Sequence, residues 1–375
     1  MFVHFFIKKY LLNKMQNQDL STLPLEVLVH MALQMDIPEV LSFCRLSERI
    51  NRKVCRRKHF WRLLLSKDNL DISPELIYQP YGERKFNWLL YLFLKYPEKN
   101  WNMFLLSANP NITWEIIQAY PDIKWMWNGI SVNPNITWEI VQNNPNLPWD
   151  FGGLSENSTI TWEIVQQNLD KDWDWYGLSH NPNITWEIIS KHLDKRWNWT
   201  SLSRNPNITW KIISQNLDKP WNWSGLSQNP NITWEIISRN LDEPWNWTAL
   251  SMNPNITWKI VRDNLDKNWD WGALSSNPNI TWQIIQNNLD KKWDWFWLSE
   301  NPNITWEIIQ QNWNLPWDLR GLSRNPNITW EIVQNNPDKK WSWIGLSQNP
   351  SITLEDVYNN PDKTWSWDVI SAKKE

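Results

Sequence analysis

The residue types that carry enzymatic or metal chemistry are few and widely spaced in this 375-residue chain. The five histidines include His180 and His192, which are separated by twelve positions and have no cysteine or carboxylate cluster at ligand spacing. No glycine-rich phosphate loop, nucleophile turn or pair of catalytic carboxylates stands out from the sequence. We therefore expect a protein without enzymatic activity, metal or cofactor.

The two cysteines, Cys44 and Cys55, are close in sequence and do not have metal-ligand spacing. Such low cysteine usage is typical of a reduced, intracellular protein without a disulfide framework. The apolar residues 1–7 are too short to span a bilayer, and the lysines follow them rather than precede them as in a secretory signal. Met15 is an alternative start. The sequence predicts a cytoplasmic protein with no membrane contact.

Tryptophan usage is several times the ordinary level, with 35 residues that lie almost entirely beyond residue 100. Most of this indole surface must be buried, although a tryptophan ladder could instead stack sugars or nucleobases. Residues 1–100 carry 16 Lys/Arg and 10 Asp/Glu, whereas the rest carries 21 and 30. Because nucleic-acid binding depends on a positive face, the acidic C-terminal part argues against a nucleic-acid partner.

The phrase Asn-Pro-Asn-Ile-Thr-Trp recurs every 24 residues, with its tryptophan running from Trp114 to Trp330 and Leu354 in the next slot. A constant period of this size indicates a stacked repeat architecture. Eleven units span residues 101–364, and a partial twelfth with the tail spans 365–375. We expect residues 86–100 to be a degenerate half-repeat that caps the array, since open arrays need atypical ends.

Each unit carries two helix-start patterns. Thr209 can serve as an N-cap, and Ile208 and Ile213 have the spacing of a hydrophobic staple. Asn222 can cap a second helix, and the next Asn-Pro ends it because proline disfavours helical geometry in the preceding residue. These patterns predict an all-α fold, an α-solenoid of two-helix units. The alternative is a leucine-rich-type or β-solenoid, because the period and the strand propensity of Ile-Thr-Trp also suit those folds.

Every Asn-Ile-Thr is also an acceptor motif for N-glycosylation. Without a secretory signal, we interpret these residues instead as helix-capping positions.

Residues 20–67 have a different character and predict three short helices. The motifs that stand out in this segment are Leu23-Pro24-x-Glu26, Asp36-Ile37-Pro38-x-Val40-Leu41, Leu46-Ser47-x-Arg49-x-Asn51 and Phe60-Trp61-x-x-Leu64. They follow an N-terminal extension over 1–19 and precede a linker with one short helix over 68–85. The basic run at 52–58 could be a nucleic-acid or nuclear-import patch, but we interpret it as a solvated helix face.

In order and spacing, these motifs resemble an F-box, over about an eighth of the chain. F-boxes bind the linker subunit of SCF-type cullin–RING ubiquitin ligases. The resemblance implies that Trp61 belongs to a small core and that an apolar contact surface is supplied by Leu23, Pro24, Ile37, Val40 and Leu41. An F-box-like head on a tandem array of this Asn/Ile/Lys-rich composition also resembles repeat proteins of the giant DNA viruses of amoebae, which would imply the host cytoplasm.

Positions that vary between otherwise constant units are candidates for partner recognition. One such position precedes each Asn-Pro, and another follows the second tryptophan of each unit. The unit at 293–316 departs most from the others, so we expect it to be a binding hot spot, with a repacked core as the alternative. The predicted target-binding residues are Tyr176, His180, Arg204, Met252, Phe296, Trp297, Arg320 and Arg324.

Together these features predict a non-enzymatic adaptor. Its F-box would dock on the SCF linker subunit and so join the cullin complex, while the array would recruit an unknown target protein. The alternative is a ligase-independent scaffold or decoy that only holds its partner.

Overall fold

A computed structural model describes residues 23–70, 72–78 and 85–374. The expected extension over 1–19, and with it the choice between Met1 and Met15, lies outside the described residues. The chain divides into two compact units, Met1–Lys99 and Asn100–Lys374. Each unit is helical throughout its described part, and an isolated antiparallel bridge pairs Tyr78 with Phe86. The all-α prediction is confirmed, and the β-solenoid alternative is wrong.

The three helices predicted in the first unit are present, with shorter ones between and after them. Asp36 caps the second helix in a reciprocal capping box with Glu39. The short helix expected within residues 68–85 is also present. In chain order the helices are α1 (Leu25–Leu33), α2 (Ile37–Leu46), α3 (Glu48–Ile50), a π-helical turn (Asn51–Cys55), α4 (Lys58–Ser66), α5 (Pro74–Ile77) and α6 (Trp88–Lys95).

Trp61 lies at the centre of the first unit's core, as the F-box resemblance implies. Its indole N–H donates to the carbonyl oxygen of Cys55 at 2.7 Å, and its ring packs against Tyr78 at 4.4 Å. The expectation of two free thiols is wrong, because a disulfide joins Cys44 to Cys55. Both cysteines are buried where α2 and the π-helical turn meet. Spacing in the sequence gives no sign of this contact.

The second unit alternates two kinds of short helix, as predicted. Within residues 100–374, all of them described, one kind begins at the second tryptophan position of each unit and occurs twelve times; Met103, Phe151 and Leu319 occupy that position in three repeats. We call these the inner helices: Met103–Ala108, Trp127–Val132, Phe151–Glu156, Trp175–His180, Trp199–Arg204, Trp223–Gln228, Trp247–Met252, Trp271–Ser275, Trp295–Glu300, Leu319–Arg324, Trp343–Gln348 and Trp367–Ile370.

The other kind begins at the tryptophan of the Asn-Ile-Thr-Trp phrase, or at Leu354 in the last case. These eleven outer helices are Trp114–Ala119, Trp138–Asn143, Trp162–Gln167, Trp186–Lys191, Trp210–Ser214, Trp234–Arg239, Trp258–Asp263, Trp282–Gln286, Trp306–Gln311, Trp330–Asn335 and Leu354–Asn359.

The two kinds of helix are spaced differently. Inner helices pack directly on one another, and a Cβ added to Gly225 would lie 3.0 Å from the Cβ of Ser203 in the preceding inner helix. Indole rings separate the outer helices. Trp210 packs against Trp245 at 5.8 Å, and Trp223 stands perpendicular to Trp245 at 4.9 Å. Close contact on one side and indole spacers on the other curve the array, with the inner helices on its concave side.

A column of buried asparagines joins each repeat to the one before it. The side-chain amide of Asn229 donates to the carbonyl oxygens of Ser203, Asn205 and Ile208 at 3.0, 3.2 and 3.3 Å. These carbonyls lie at a helix end and in the following turn, where intrahelical donors run out. The asparagines of this column are Asn133, Asn157, Asn181, Asn205, Asn229, Asn253, Asn277, Asn301, Asn325 and Asn349.

The asparagine of the glycosylation motif forms a second column, so its interpretation as a helix-capping position is wrong. Asn231 donates to the carbonyl oxygens of Pro206 and Ile208 in the preceding repeat at 2.6 and 3.2 Å. A third connection uses serine, since the Ser203 hydroxyl accepts from the backbone N–H of Asn222 at 2.9 Å. Adjacent repeats are therefore joined by hydrogen bonds as well as by indole packing.

The predicted caps are confirmed on the inner helices and only partly on the outer ones. Asn222 accepts from the backbone N–H of Gly225 at 2.7 Å. Thr209 stands at the N-cap position, but its hydroxyl accepts no helix N–H. At Glu163, hydrogen bonds from the glutamate's own backbone N–H and then from the Thr161 hydroxyl lower the carboxylate pKa. The threonines that do accept a helix N–H are Thr137, Thr305, Thr329 and Thr353.

The two ends of the second unit meet through the same contacts that join successive repeats. Trp101 packs against Trp367 at 5.0 Å, as the first tryptophan of any repeat packs against the preceding inner helix. The backbone N–H of Asn102 donates to the Ser371 hydroxyl at 2.9 Å, in the same role as the other serines. We call this junction the seam.

The asparagine column also continues across the seam. The side-chain amide of Asn109 donates to the carbonyl oxygens of Ser371 and Lys373 at 3.0 and 2.9 Å. The second unit is therefore a closed ring of twelve inner helices, with a rotation of about 30° per repeat. The partial twelfth repeat covers the side of the first repeat that a cap would cover. Helix α6, in the half-repeat expected to be a cap, belongs to the first compact unit.

Lys373 occupies the asparagine position of the last repeat. Its ammonium donates to the carbonyl oxygens of Ser347 and Asn349 at 3.2 and 2.7 Å, which are the oxygens an asparagine would reach. Burial lowers the pKa of Lys373 to about 8, and the charge of Asp356 opposes this shift. The seam therefore contains a largely buried group that can lose its proton.

We predict that Asn229→Ala destabilises the ring by about 2–4 kcal/mol, because three buried carbonyls lose their donor. Chemical denaturation of both variants measures the effect, and Gln228→Ala, at the exposed neighbouring position, is the control. Equal stability of the two variants would contradict the role of the column.

We also predict that the free energy of unfolding rises as the pH is raised from about 8 to 10.5. In this window unfolded Lys373, with its ordinary pKa of 10.5, binds a proton that the folded ring does not. Lys373→Asn restores the amide of the other repeats and should abolish this part of the pH dependence. Thermal unfolding of both proteins between pH 7 and 10.5 measures the difference, and parallel pH profiles would contradict the prediction.

Candidate protein-binding surface

One face of every inner helix points away from the outer helices. In Trp175–His180, Gly177 faces the preceding inner helix, since a Cβ there would lie 2.9 Å from Ser155, while the Ser179 hydroxyl bonds the following repeat. Leu178 is buried on the side of the outer helix. Tyr176 and His180 are four residues apart and project from the opposite side of the helix, with their ring centres 5.5 Å apart. Second and sixth positions of the inner helices therefore line the inside of the ring.

We call this row of second and sixth positions the interior stripe. The two variable positions identified in the sequence both lie on this single face. Trp297 differs, because it occupies a third position. The other predicted target-binding residues all lie in the stripe: Tyr176, His180, Arg204, Met252 and Arg320 are exposed, whereas Phe296 and Arg324 are partly buried.

Aromatic and charged side chains meet in a cluster around Phe296. The guanidinium carbons of Arg320 and Arg324, in the next repeat, each lie 5.5 Å from the Phe296 ring centre. The Trp297 ring stands edge-on to Phe296 at 5.1 Å. Glu300 lies 3.7 Å from Arg324, which orients that guanidinium. We call these five residues the Phe296 cluster.

Trp297 stands where most other inner helices carry Gly, Ala or Ser; Leu105 and Val369 are the exceptions. At the equivalent Gly225, an added Cβ would point at the second and sixth residues of the preceding helix, Thr200 and Arg204. The equivalent positions in the helix before Trp297 are Gly272 and Ser276, which are small. Its side chain is 42% exposed, so Trp297 is a surface residue and not part of a repacked core.

Charges in the stripe balance. Arg320 is ion-paired with Asp318 at 2.6 Å, and this contact lowers the pKa of Asp318. The stripe contains three arginines and three carboxylates, namely Arg204, Arg320, Arg324, Glu156, Glu300 and Asp368. The inside of the ring therefore offers aromatic and hydrogen-bonding surface without a net charge of either sign.

In the first unit, the residues that the F-box resemblance predicts to bind the ligase linker differ in how exposed they are. Pro24 is exposed and Leu23 partly exposed, whereas Ile37, Val40 and Leu41 are buried in the core. In this structure, the three buried residues stabilise α2 and do not form a contact surface.

The basic run is partly compensated by nearby carboxylates. Arg56 is ion-paired with Glu48, and Lys58 with Glu75. The hydrogen bond from Lys58 is the main cause that lowers the pKa of Glu75 to about 2. This pairing supports the interpretation of the run as a solvated surface.

The cluster residues come from two successive repeats, a grouping that no short sequence motif marks. Arg320 lies 24 residues after Phe296, and Arg324 lies 24 residues after Glu300. Each arginine therefore holds the equivalent position in the next repeat. For inner helices, the spacing of four residues within a helix and of 24 residues between successive helices predicts this grouping.

No protein-family model, curated protein or solved structure matches the chain. Across the described ranges, no helix combines the length and apolarity needed to cross a membrane. The described residues also contain no group of three or more His, Cys, Asp or Glu side chains placed to hold a metal ion.

We predict that Trp297→Ala changes the free energy of unfolding by less than about 1 kcal/mol, because this position tolerates small residues in other repeats. Leu298→Ala, at the adjacent buried position, should cost about 2–5 kcal/mol. Urea denaturation of the two variants measures the contrast. A large loss of stability for Trp297→Ala would show that the indole serves the fold instead of a surface.

Proposed function

We propose that this protein is a non-enzymatic adaptor that holds a partner protein on the interior stripe of its ring. The observation that carries the proposal is the Phe296 cluster, where the exposed Trp297 and Arg320 and the partly buried Phe296 and Arg324 meet on short helices. Aromatic residues and arginine dominate the binding energy of protein interfaces. The balanced charge of the stripe favours a protein partner over nucleic acid, which requires a positive face.

The finer part of the proposal is that the first unit docks on the linker subunit of an SCF-type ubiquitin ligase, which would connect the partner to the cullin complex. Its support is the order and spacing of the F-box-like motifs, together with the exposure of Pro24. Three further apolar side chains, Val27, Leu46 and Leu63, are 40–57% exposed and could extend a contact surface there.

A ligase-independent scaffold or decoy is the second candidate. The burial of Ile37, Val40 and Leu41 favours it, because the linker-binding surface implied by the resemblance is then incomplete.

A cytoplasmic location, in the host cell if the protein is viral, belongs to the same proposal. The low cysteine count supports it. The Cys44–Cys55 disulfide argues in the other direction, since disulfides persist mainly in oxidising compartments.

Binding of the purified SCF linker subunit to the full chain tests the ligase arm. We expect binding that is lost in a Leu23→Ala/Pro24→Ala variant. If the unmodified protein does not bind the linker and recovers partners without cullin from cells, the scaffold is favoured.

Affinity purification from cells tests the stripe. Phe296→Ala/Trp297→Ala should reduce recovery of the bound partner at least about tenfold. Thr200→Ala/Ser224→Ala, in the stripe away from the cluster, should leave recovery unchanged. Identical partner recovery with both variants would contradict the proposed site.

A further inference from the structure

A second apolar surface runs along the turns that lead from outer to inner helices. In each such turn the backbone N–H of the fourth residue donates to the carbonyl oxygen of the first, as Lys219 does to Asn216 at 3.1 Å. The second residue of the turn is exposed. In six consecutive repeats it is leucine, and in the seventh it is tryptophan. We call these residues the rim row: Leu169, Leu193, Leu217, Leu241, Leu265, Leu289 and Trp313.

The turn itself does not require leucine. Proline is favoured at the second position of such turns, and the repeats outside the row carry it there, at Pro121, Pro145, Pro337 and Pro361. The six leucines are 44–55% exposed and Trp313 is 42% exposed. Single exposed leucines are ordinary, but seven exposed apolar side chains at one position of successive repeats form a repeated surface feature.

Charge beside the row is compensated. Each leucine is followed by an aspartate, and five of the six aspartates are ion-paired with the next residue, a lysine; Asp218 and Lys219 lie 2.8 Å apart. The hydrogen bond from Lys219 lowers the pKa of Asp218. Both side chains therefore stay ionised, and their opposite charges cancel. The turn with Leu241 departs from this pattern, because Asp242 is followed by Glu243.

We propose that the rim row is an interface between two copies of this chain. Repeated apolar side chains separated by neutral ion pairs are complementary to a second copy of themselves, as a twofold-symmetric contact requires. Half-exposed leucines contribute on the order of 80 Å² each, so the row offers roughly 600 Å² per copy and about 1,200 Å² for a pair. That area lies at the lower limit of a specific interface, so a weak, concentration-dependent dimer is expected. The interior stripe lies on other residues and does not enter this contact.

Sedimentation velocity of the full chain between 1 and 100 µM tests the proposal. We expect the dimer fraction to rise over this range. A Leu193→Asp/Leu217→Asp/Leu265→Asp variant should raise the apparent Kd at least about tenfold, because it places charge in the apolar contact. The matched control is Ser190→Asp/Ser214→Asp/Ser238→Asp, which adds the same charge at exposed outer-helix positions and should dimerise slightly less or equally well.

A gain-of-affinity variant keeps the test independent of folding defects. Glu243→Lys restores the lysine of the other turns and should strengthen the dimer by removing uncompensated negative charge. A protein that stays monomeric at 100 µM would overturn the proposal and leave the row to a different partner. Equal dissociation of the leucine variant and its serine control, or weaker association of Glu243→Lys, would overturn it as well.

Discussion

The stability of the second unit depends on hydrogen-bond donors for the backbone carbonyl groups between inner and outer helices. Each inner helix ends after about six residues, and its last carbonyls, with those of the following turn, point into the junction with the next repeat. A buried carbonyl without a donor costs about 1–3 kcal/mol. One asparagine amide supplies donors to two or three of them, at Asn229 as at its equivalents. Indole packing supplies the apolar area, but the amide requires that the neighbour be another repeat in register.

Where a repeat lacks one of these asparagines, the residue in its place still donates a hydrogen bond to the preceding repeat. Thr159, which replaces the second asparagine of its repeat, donates to the carbonyl oxygen of Ile136 at 2.8 Å. Ser351 donates to Pro326 in the same way, and Lys373 replaces an asparagine of the first column. What the position requires is therefore an N–H or O–H group of suitable reach. A leucine of similar size would fill the space and leave the carbonyls unpaired.

Local patterns in the sequence predicted the helices, the inner-helix caps and the packing role of tryptophan, because each depends on neighbours within a few residues. The outer caps were predicted only in part, because threonines such as Thr161 and Thr209 stand at the N-cap position without accepting a helix N–H. The asparagine columns were missed because their acceptors lie 21–26 residues earlier and asparagine is also a common turn residue. Closure was missed because it is the sum of a small rotation over the whole array. The stripe positions were predicted from their variation, whereas the burial of Ile37, Val40 and Leu41 depends on tertiary packing that no short motif reveals.

Closure of the ring has a consequence for how this chain can change in evolution. Tandem repeats with nearly identical sequences gain and lose copies readily by unequal recombination, and an open solenoid tolerates this because each repeat contacts only its neighbours. Here the gain or loss of one 24-residue copy would leave Trp101 and Trp367 facing each other across a gap or an overlap of one twelfth of the circumference. Closure therefore fixes the number of copies that this ring can hold. The chain can diversify by substitution within its repeats but not by adding to them.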